Sequence, residues 1–242
     1  MPAASIDPPA SGDECRMSLE DNLIFARQGV AHVRAWRLRA NNVSVPSSLD
    51  PQLRMCVNDI RFTRHHGKVL GQDHSWGVPR LNLGDDVTKA EADAIRAAGC
   101  GNCMEQAAVA FEFLDRVHPR ARPIHYCSSL TLDHVFVLVG PATTRHRDGV
   151  SGQPSFRLGG GTVGTDGIAG IDETAVCDPW IEERYPGTGV YPARELPIGM
   201  LRVASVLREV LSANGGTSEQ IGVATSGMAP GSAFEFTVRY SK

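Results

Sequence analysis

Gly99-Cys100-Gly101-Asn102-Cys103-Met104-Glu105-Gln106-Ala107 is a tight, glycine-bearing turn that runs straight into an apolar helical pattern. Cys103 stands at the junction. A thiol in the first turn of a helix feels the positive end of the helix dipole and unpaired backbone N–H groups, and both favour the thiolate. Ala107, Ala108, Phe111, Leu114 and Val117 recur at helical spacing, which predicts a helix from about Asn102 to Val117. Ala107 and Ala108 are small and suit close packing against a sheet. His118-Pro119 stops the helix.

Downstream, the hydrophobic period changes from that of helices to that of strands. Strands are expected at Pro123–Cys127, Asp133–Gly140, Ser155–Leu158 and Thr174–Asp178, with a Gly-rich loop or hairpin insertion over Gly159–Gly170. A helix follows over Ile198–Leu211, with Leu201, Val206, Leu207, Val210 and Leu211 apolar, and Asn214-Gly215-Gly216 ends it. Phe234–Tyr240 alternates as a final strand.

Upstream, Ser18 with Asp21 three residues later is a partial capping box. It opens an amphipathic helix through Leu19, Leu23, Ile24, Ala31, Val33, Trp36 and Leu38, closed by Asn41-Asn42. Ser47-Ser48-Leu49-Asp50-Pro51 starts a second helix that reaches about Arg64. His65 through Asp86 reads as a long loop carrying His74 and Trp76. Thr88-Lys89-Ala90-Glu91 caps a third helix that closes near Gly99. Helices first and a mainly antiparallel sheet afterwards make an α+β domain.

A chain of 242 residues is long enough to bury a full core. Its net charge of −3 gives no electrostatic reason to expect nucleic acid or an anionic membrane as partner. No apolar run approaches the roughly 20 residues that span a bilayer. Residues 1–16 are rich in Pro, Ser and small residues, lack the basic and apolar regions of a cleaved signal peptide, and are expected to be disordered. Without a signal peptide, the six cysteines are expected as thiols, with Cys100, Cys127 and Cys177 in the core.

Two strand ends supply partners for Cys103. His134 begins the apolar run Val135-Phe136-Val137-Leu138-Val139, and Asp178 ends Ala175-Val176-Cys177 before Pro179-Trp180. Thiol acyl transfer needs a thiolate, an imidazole to share its proton, a carboxylate to orient the imidazole and donors for the oxyanion. Cys103, His134 and Asp178 are the candidate triad. The Cys103 backbone N–H is the first candidate oxyanion donor, and Asn102, Gln72 and Trp76 are candidates for the second.

Gly-x-Asn-Cys103-x-Glu-x-Ala, then Ala121-Arg122-Pro123, then His134-Val-Phe-Val and finally Val176-Cys177-Asp178-Pro179 resembles the core of the transglutaminase-like superfamily within the papain-like thiol enzymes. The resemblance covers about residues 99–180. It implies a papain-like core over 99–242, with a helical region over 17–98 packed on it, and Cys-His-Asp chemistry on amide bonds without metal or cofactor: proteolysis, glutamine deamidation or crosslinking. Trp180, in the Asp-Pro-Trp ending, joins the substrate-binding candidates. The motif is also similar to that of cysteine-dependent bacterial effectors and toxins. That likeness implies synthesis in a bacterial cytoplasm, delivery without a cleaved signal peptide, and a protein substrate in a target or host cell.

Three other readings compete. Cys100-x-x-Cys103 with His125, Cys127 or Cys177 would make a four-ligand zinc site, or the Cys pair a redox dithiol. A housekeeping amide hydrolase would use the same triad on a small molecule. A papain-like binding module would keep the groove without the chemistry. His65, His66 and His74 match no recurring ligand spacing, and the absence of the His-x-Glu and Pro-Cys-x-x-Cys signatures speaks against a zinc nucleobase deaminase.

Overall fold

The computed structural model describes residues 17–40, 50–53, 55, 56, 85–117, 123–129, 132, 134–144, 154–159, 168–213 and 233–241. The leader at 1–16, Asn41-Asn42, the second helix beyond residue 56, His65, His66 and His74, and the Asn214-Gly215-Gly216 stop lie outside these residues. Among the described residues the helices α1 (Leu19–Ala35), α2 (Asp85–Ala98) and α3 (Cys103–Val117) come first, and residues 51–53, 55 and 56, at the expected second helix, are helical too. The strands β1 (Ile124–Ser129), β2 (Val135–Val139), β3 (Thr143–Thr144), β4 (Ser155–Gly159), β5 (Ile168–Ala169) and β6 (Ala175–Cys177) follow. A short helix α4 (Pro179–Arg184), strand β7 (Val190–Pro192), helix α5 (Leu196–Ala213) and strand β8 (Ala233–Ser241) complete the order. The class is α+β, as the sequence pattern predicts.

Six strands form one sheet in the order β4-β8-β1-β2-β6-β7, and β3 pairs with β5 apart from it. Among the described residues every pairing between these strands is antiparallel. The ladder of β1 and β2 sets Ser128 against Val135, and that of β2 and β6 sets Val137 against Cys177. The start of β2 and the end of β6 therefore lie side by side, which brings residues 134 and 178 to one end of the sheet. The residues between β2 and β6 leave the ladder, build the β3–β5 ribbon, and send β4 to the opposite sheet edge beside β8.

Helix α3 packs on β1 and β2, and α1 packs against α3, β6 and β7. Of α3, Ala107, Ala108, Val109, Ala110, Phe111 and Leu114 are all buried. It is a central helix buried nearly all round from Cys103 to Leu114, the polar Glu105, Gln106 and Glu112 included. Val117, read as part of its apolar face, is 42% exposed because it ends the helix beyond the sheet contact. In α1 the capping box forms, with Ser18 Oγ accepting from Asp21 N and Asp21 Oδ2 accepting from Ser18 N. The backbone of α1 comes close to the sheet at Gly29, where a Cβ would meet Cys177 Sγ at 3.0 Å and Leu114 Cδ1 at 3.1 Å.

Several boundaries and faces differ from the sequence expectation. Helix α1 ends at Ala35 because Arg37 takes a φ of 52°, and the chain then runs extended so that Leu38 and Ala40 are buried beside the Gly99–Gly101 turn. Its buried stripe is Ala26, Gly29, Val30 and Val33, while Ile24, Ala31 and Trp36 face outward. Helix α2 begins at Asp85, so Asp85-Asp86 belong to the helix and not to the preceding loop. In α5 the buried residues are Leu196, Met200, Val203, Ala204 and Val206, and Leu201 is exposed. The α4 helix and β7 are additions that the periodicity did not reveal.

The expectation of six thiols is corrected at one pair: Cys56 and Cys100 form a disulfide across 44 residues of sequence. Cys103, Cys127 and Cys177 remain buried thiols. Among the described residues, no helix is long and apolar enough to cross a membrane.

Candidate active site

The nucleophile turn is built by its own helix and by two neighbours. Asn102 is the residue before α3, and its N–H donates to Glu105 Oε2 at 2.8 Å, as the third residue of a capping box should accept. Gly101 is required here because a Cβ at that position would fall on the Glu105 Cβ. The Gly101 N–H donates to Arg39 O at 3.0 Å, in the extended segment that follows α1. On the sheet side, the Tyr126 hydroxyl in β1 donates to Met104 O at 2.9 Å and pins the first turn of α3.

His134 is held by a tight β1–β2 connection, in which Ser129 N donates to His134 O at 2.9 Å and His134 N to Leu132 O at 2.7 Å. Its Nε2 lies 2.7 Å from Asp178 Oδ2. A carboxylate only accepts, so Nε2 carries the proton and Nδ1 is the nitrogen left for exchange with a thiol. Nδ1 is buried without a hydrogen-bond partner. Cys103 acts on the same ring as a smaller electrostatic influence beside Asp178. Asp178 Oδ1 accepts from Ile181 N at 3.2 Å, so the same carboxylate caps α4.

All three groups are shielded from water: Cys103 is 7%, His134 1% and Asp178 0% exposed. Burial alone would lower the His134 pKa, but the Asp178 charge and hydrogen bond, with a smaller contribution from Cys103, outweigh it and push the value up to about 10. Asp178 thus favours the imidazolium over the neutral ring. The other two thiols are held protonated: burial pushes Cys127 up, and burial with the adjacent Asp178 charge does the same to Cys177.

Of the other candidates, Asn102 is buried at the start of α3 and Trp180 is 1% exposed, its ring centroid 5.0 Å from that of His134. Trp180 forms a wall of the imidazole pocket. Gln72 and Trp76 lie outside the described residues. Cys100 is bonded to Cys56, so neither the Cys100-x-x-Cys103 dithiol nor a zinc site using that pair is present, and among the described residues no three His, Cys, Asp or Glu side chains gather where they could hold a metal ion.

Gln106, Glu183 and Arg34 carry no signal in the sequence pattern, and Glu105 appears there only within the Gly-x-Asn-Cys-x-Glu motif. Glu105 carried a legible signal, the Asn-x-x-Glu capping spacing. Gln106 bridges elements far apart in sequence: its Oε1 accepts from Arg34 Nη2 at 2.7 Å, and its Nε2 donates to Glu183 Oε2 at 2.9 Å and Gly101 O at 3.0 Å. No local spacing encodes such contacts. No family model, curated protein or solved structure matches the chain.

Proposed function

We propose that the chain is a cysteine-dependent acyl-transfer enzyme in which Cys103 is the nucleophile, His134 the proton carrier and Asp178 the group that orients and charges the imidazole. The observation that carries this reading is the buried His134 Nε2–Asp178 Oδ2 contact of 2.7 Å, with Cys103 at the start of α3 acting on the charge of the same ring. Asp178 fixes the tautomer and stabilises the imidazolium, which in turn holds the Cys103 thiolate. The thiolate attacks a carbonyl carbon, the oxyanion forms next to the helix N-terminus, and His134 gives its proton to the leaving amine. Water or an amine then resolves the thioester. The nucleophile at the start of a central helix and the His-Asp pair at the ends of neighbouring strands support a papain-like reading of the α+β core.

Native-state iodoacetamide labelling tests the activated thiol: Cys103 is alkylated much faster than Cys127 and Cys177 at neutral pH. Equal rates for Cys103 and Cys177 would rule out an activated nucleophile. The proposed substrate is a carboxamide on a protein of a target cell. Expression in a eukaryotic cell supports that if it gives toxicity abolished by Cys103→Ala. Toxicity that survives Cys103→Ala assigns a binding module, and absence of toxicity favours a housekeeping hydrolase. Intact mass of the modified target separates a gain of about one dalton on deamidation from two fragments on proteolysis and from loss of about 17 daltons on joining an amine.

A further inference from the structure

The Gly101–Asn102 peptide is gripped at both ends by side chains of the helix it introduces. Its carbonyl accepts from Gln106 Nε2 at 3.0 Å, and its N–H donates to Glu105 Oε2 at 2.8 Å. Gln106 is wholly buried and is itself gripped: Glu183 Oε2 takes its second Nε2 proton, and Arg34 Nη2 donates to its Oε1. Glu183 is anchored in turn by Arg34 Nη1 at 3.4 Å and by the Ala40 N–H, 3.2 Å from both carboxylate oxygens. Arg34 also donates to Leu38 O at 3.1 Å. Every hydrogen-bonding atom of the Gln106 amide is thus used, and the set links α1, the segment after it, the nucleophile turn and α4.

A peptide next to glycine rotates readily, and its orientation sets the direction of the next N–H along the chain. That next group, the Cys103 N–H, is the first of the helix. We propose that Gln106, locked by Glu183 and Arg34, is a positioning residue that fixes the Gly101–Asn102 peptide and so aims the Cys103 N–H at the developing oxyanion. The inference rests on the acyl-transfer reading. It assigns to Gln106 a part in stabilising the oxyanion and none in making the thiolate, which depends on His134 and Asp178.

Two probes separate these roles. Iodoacetamide alkylation needs only the thiolate, because no oxyanion forms when sulfur displaces iodide. p-Nitrophenyl acetate needs both: sulfur bonds to the carbonyl carbon, the carbonyl pair moves to oxygen, and collapse expels p-nitrophenolate to leave acetyl-Cys103. In Gln106→Met the acetylation rate falls by about 10- to 100-fold, somewhat less than the 10²–10³-fold of a deleted donor, while alkylation of Cys103 stays within about threefold of wild type. The double variant Gln106→Glu with Glu183→Gln restores pairing between the two side chains and recovers Tm, but leaves Gly101 O without its donor and does not recover acetylation. Should Gln106→Met not fold, Gln106→Asn, whose amide is one methylene short, gives the same split.

Acetylation at the wild-type rate in Gln106→Met, or parallel loss of both rates, overturns the assignment. Recovery of acetylation in the double variant does the same, since pairing alone would then suffice. A wild-type protein that alkylates at Cys103 but never forms acetyl-Cys103 overturns the acyl-transfer reading and this inference with it.

Discussion

Asp178 reaches His134 across the β2–β6 junction at 2.7 Å while its other oxygen caps the helix that begins one residue later. Both donors, His134 Nε2–H and Ile181 N–H, point at it. Only a carboxylate offers an acceptor to each. Asp178→Asn must turn its NH2 group toward one of the two donors, which breaks either the imidazole contact or the helix cap. The variant is expected to lose about 10²–10⁴-fold in acyl transfer. Its Cys103 alkylation at neutral pH slows as well, because the imidazolium loses its charge partner. Alkylation at the wild-type rate would show that Asp178 does not set the state of the ring.

Two histidines shape the pH dependence of stability in opposite directions. His134 has a folded value raised to about 10, so between pH 6.5 and 10 the folded state holds a proton that the unfolded state has released. Its contribution is complete below pH 6.5 and is lost as pH rises through 10. His125 is pushed down to about 4 by burial, only partly opposed by the Ala142 backbone. Its contribution is present above pH 6.5 and is lost as pH falls toward 4. Urea unfolding across pH should give a steeper alkaline decline for wild type than for His134→Asn, and a steeper acid decline than for His125→Leu. Unchanged slopes in either variant would remove that histidine from the account.

The Cys56–Cys100 bridge closes a loop of 44 residues onto the turn that carries Cys103. In the chain-entropy account, a loop of that size is worth about 4 kcal/mol. Cys56→Ser is expected to lower the unfolding free energy by about 2–4 kcal/mol, and dithiothreitol should destabilise the wild type but not the variant. Equal sensitivity to the reductant in both would show that the bridge is not what stabilises the fold.

Gly199 lies in α5 with its Cα facing the ring of Tyr191, a buried β7 residue, and an added Cβ would fall on the phenol Cζ and Oη. Glycine to alanine in a helix ordinarily gains about 1 kcal/mol. Here the sign reverses, and Gly199→Ala should destabilise by about 1–3 kcal/mol. A raised Tm would mean that Tyr191 can swing aside.

The parts of this molecule that were legible in sequence are those encoded by local rules. The α3 start at Cys103 follows from glycine, Asn102 and a helical run; the Ser18 cap from its spacing to Asp21; β1, β2, β4, β6 and β8 from alternating or continuous apolar runs. Because β2 and β6 are antiparallel neighbours, reading His134 and Asp178 at the right strand ends was enough to bring them together. The illegible parts depend on distance in sequence or on elements too short to show a period. Helix α4 has 6 residues and β7 has 3. Arg37 gives no composition signal for its positive φ, so the helical period runs on past the true end of α1. Spacing cannot pair Cys56 with Cys100, and nothing near Gln106 points to Glu183.

The last described strand, β8, is wedged between β4 and β1, so the sheet is sewn shut by residues made more than a hundred positions after β1. On a ribosome that adds about 5–20 residues per second, β1, β2 and β6 emerge and can pair while β4 has no neighbour to join. Newly made chains thus carry the His134–Asp178 half of the sheet beside an open β1 edge until residue 241 clears the exit tunnel. Such an edge is a template for the wrong strand, which makes this interval of biosynthesis, and not the finished protein, the stage at which a holding chaperone has most to offer.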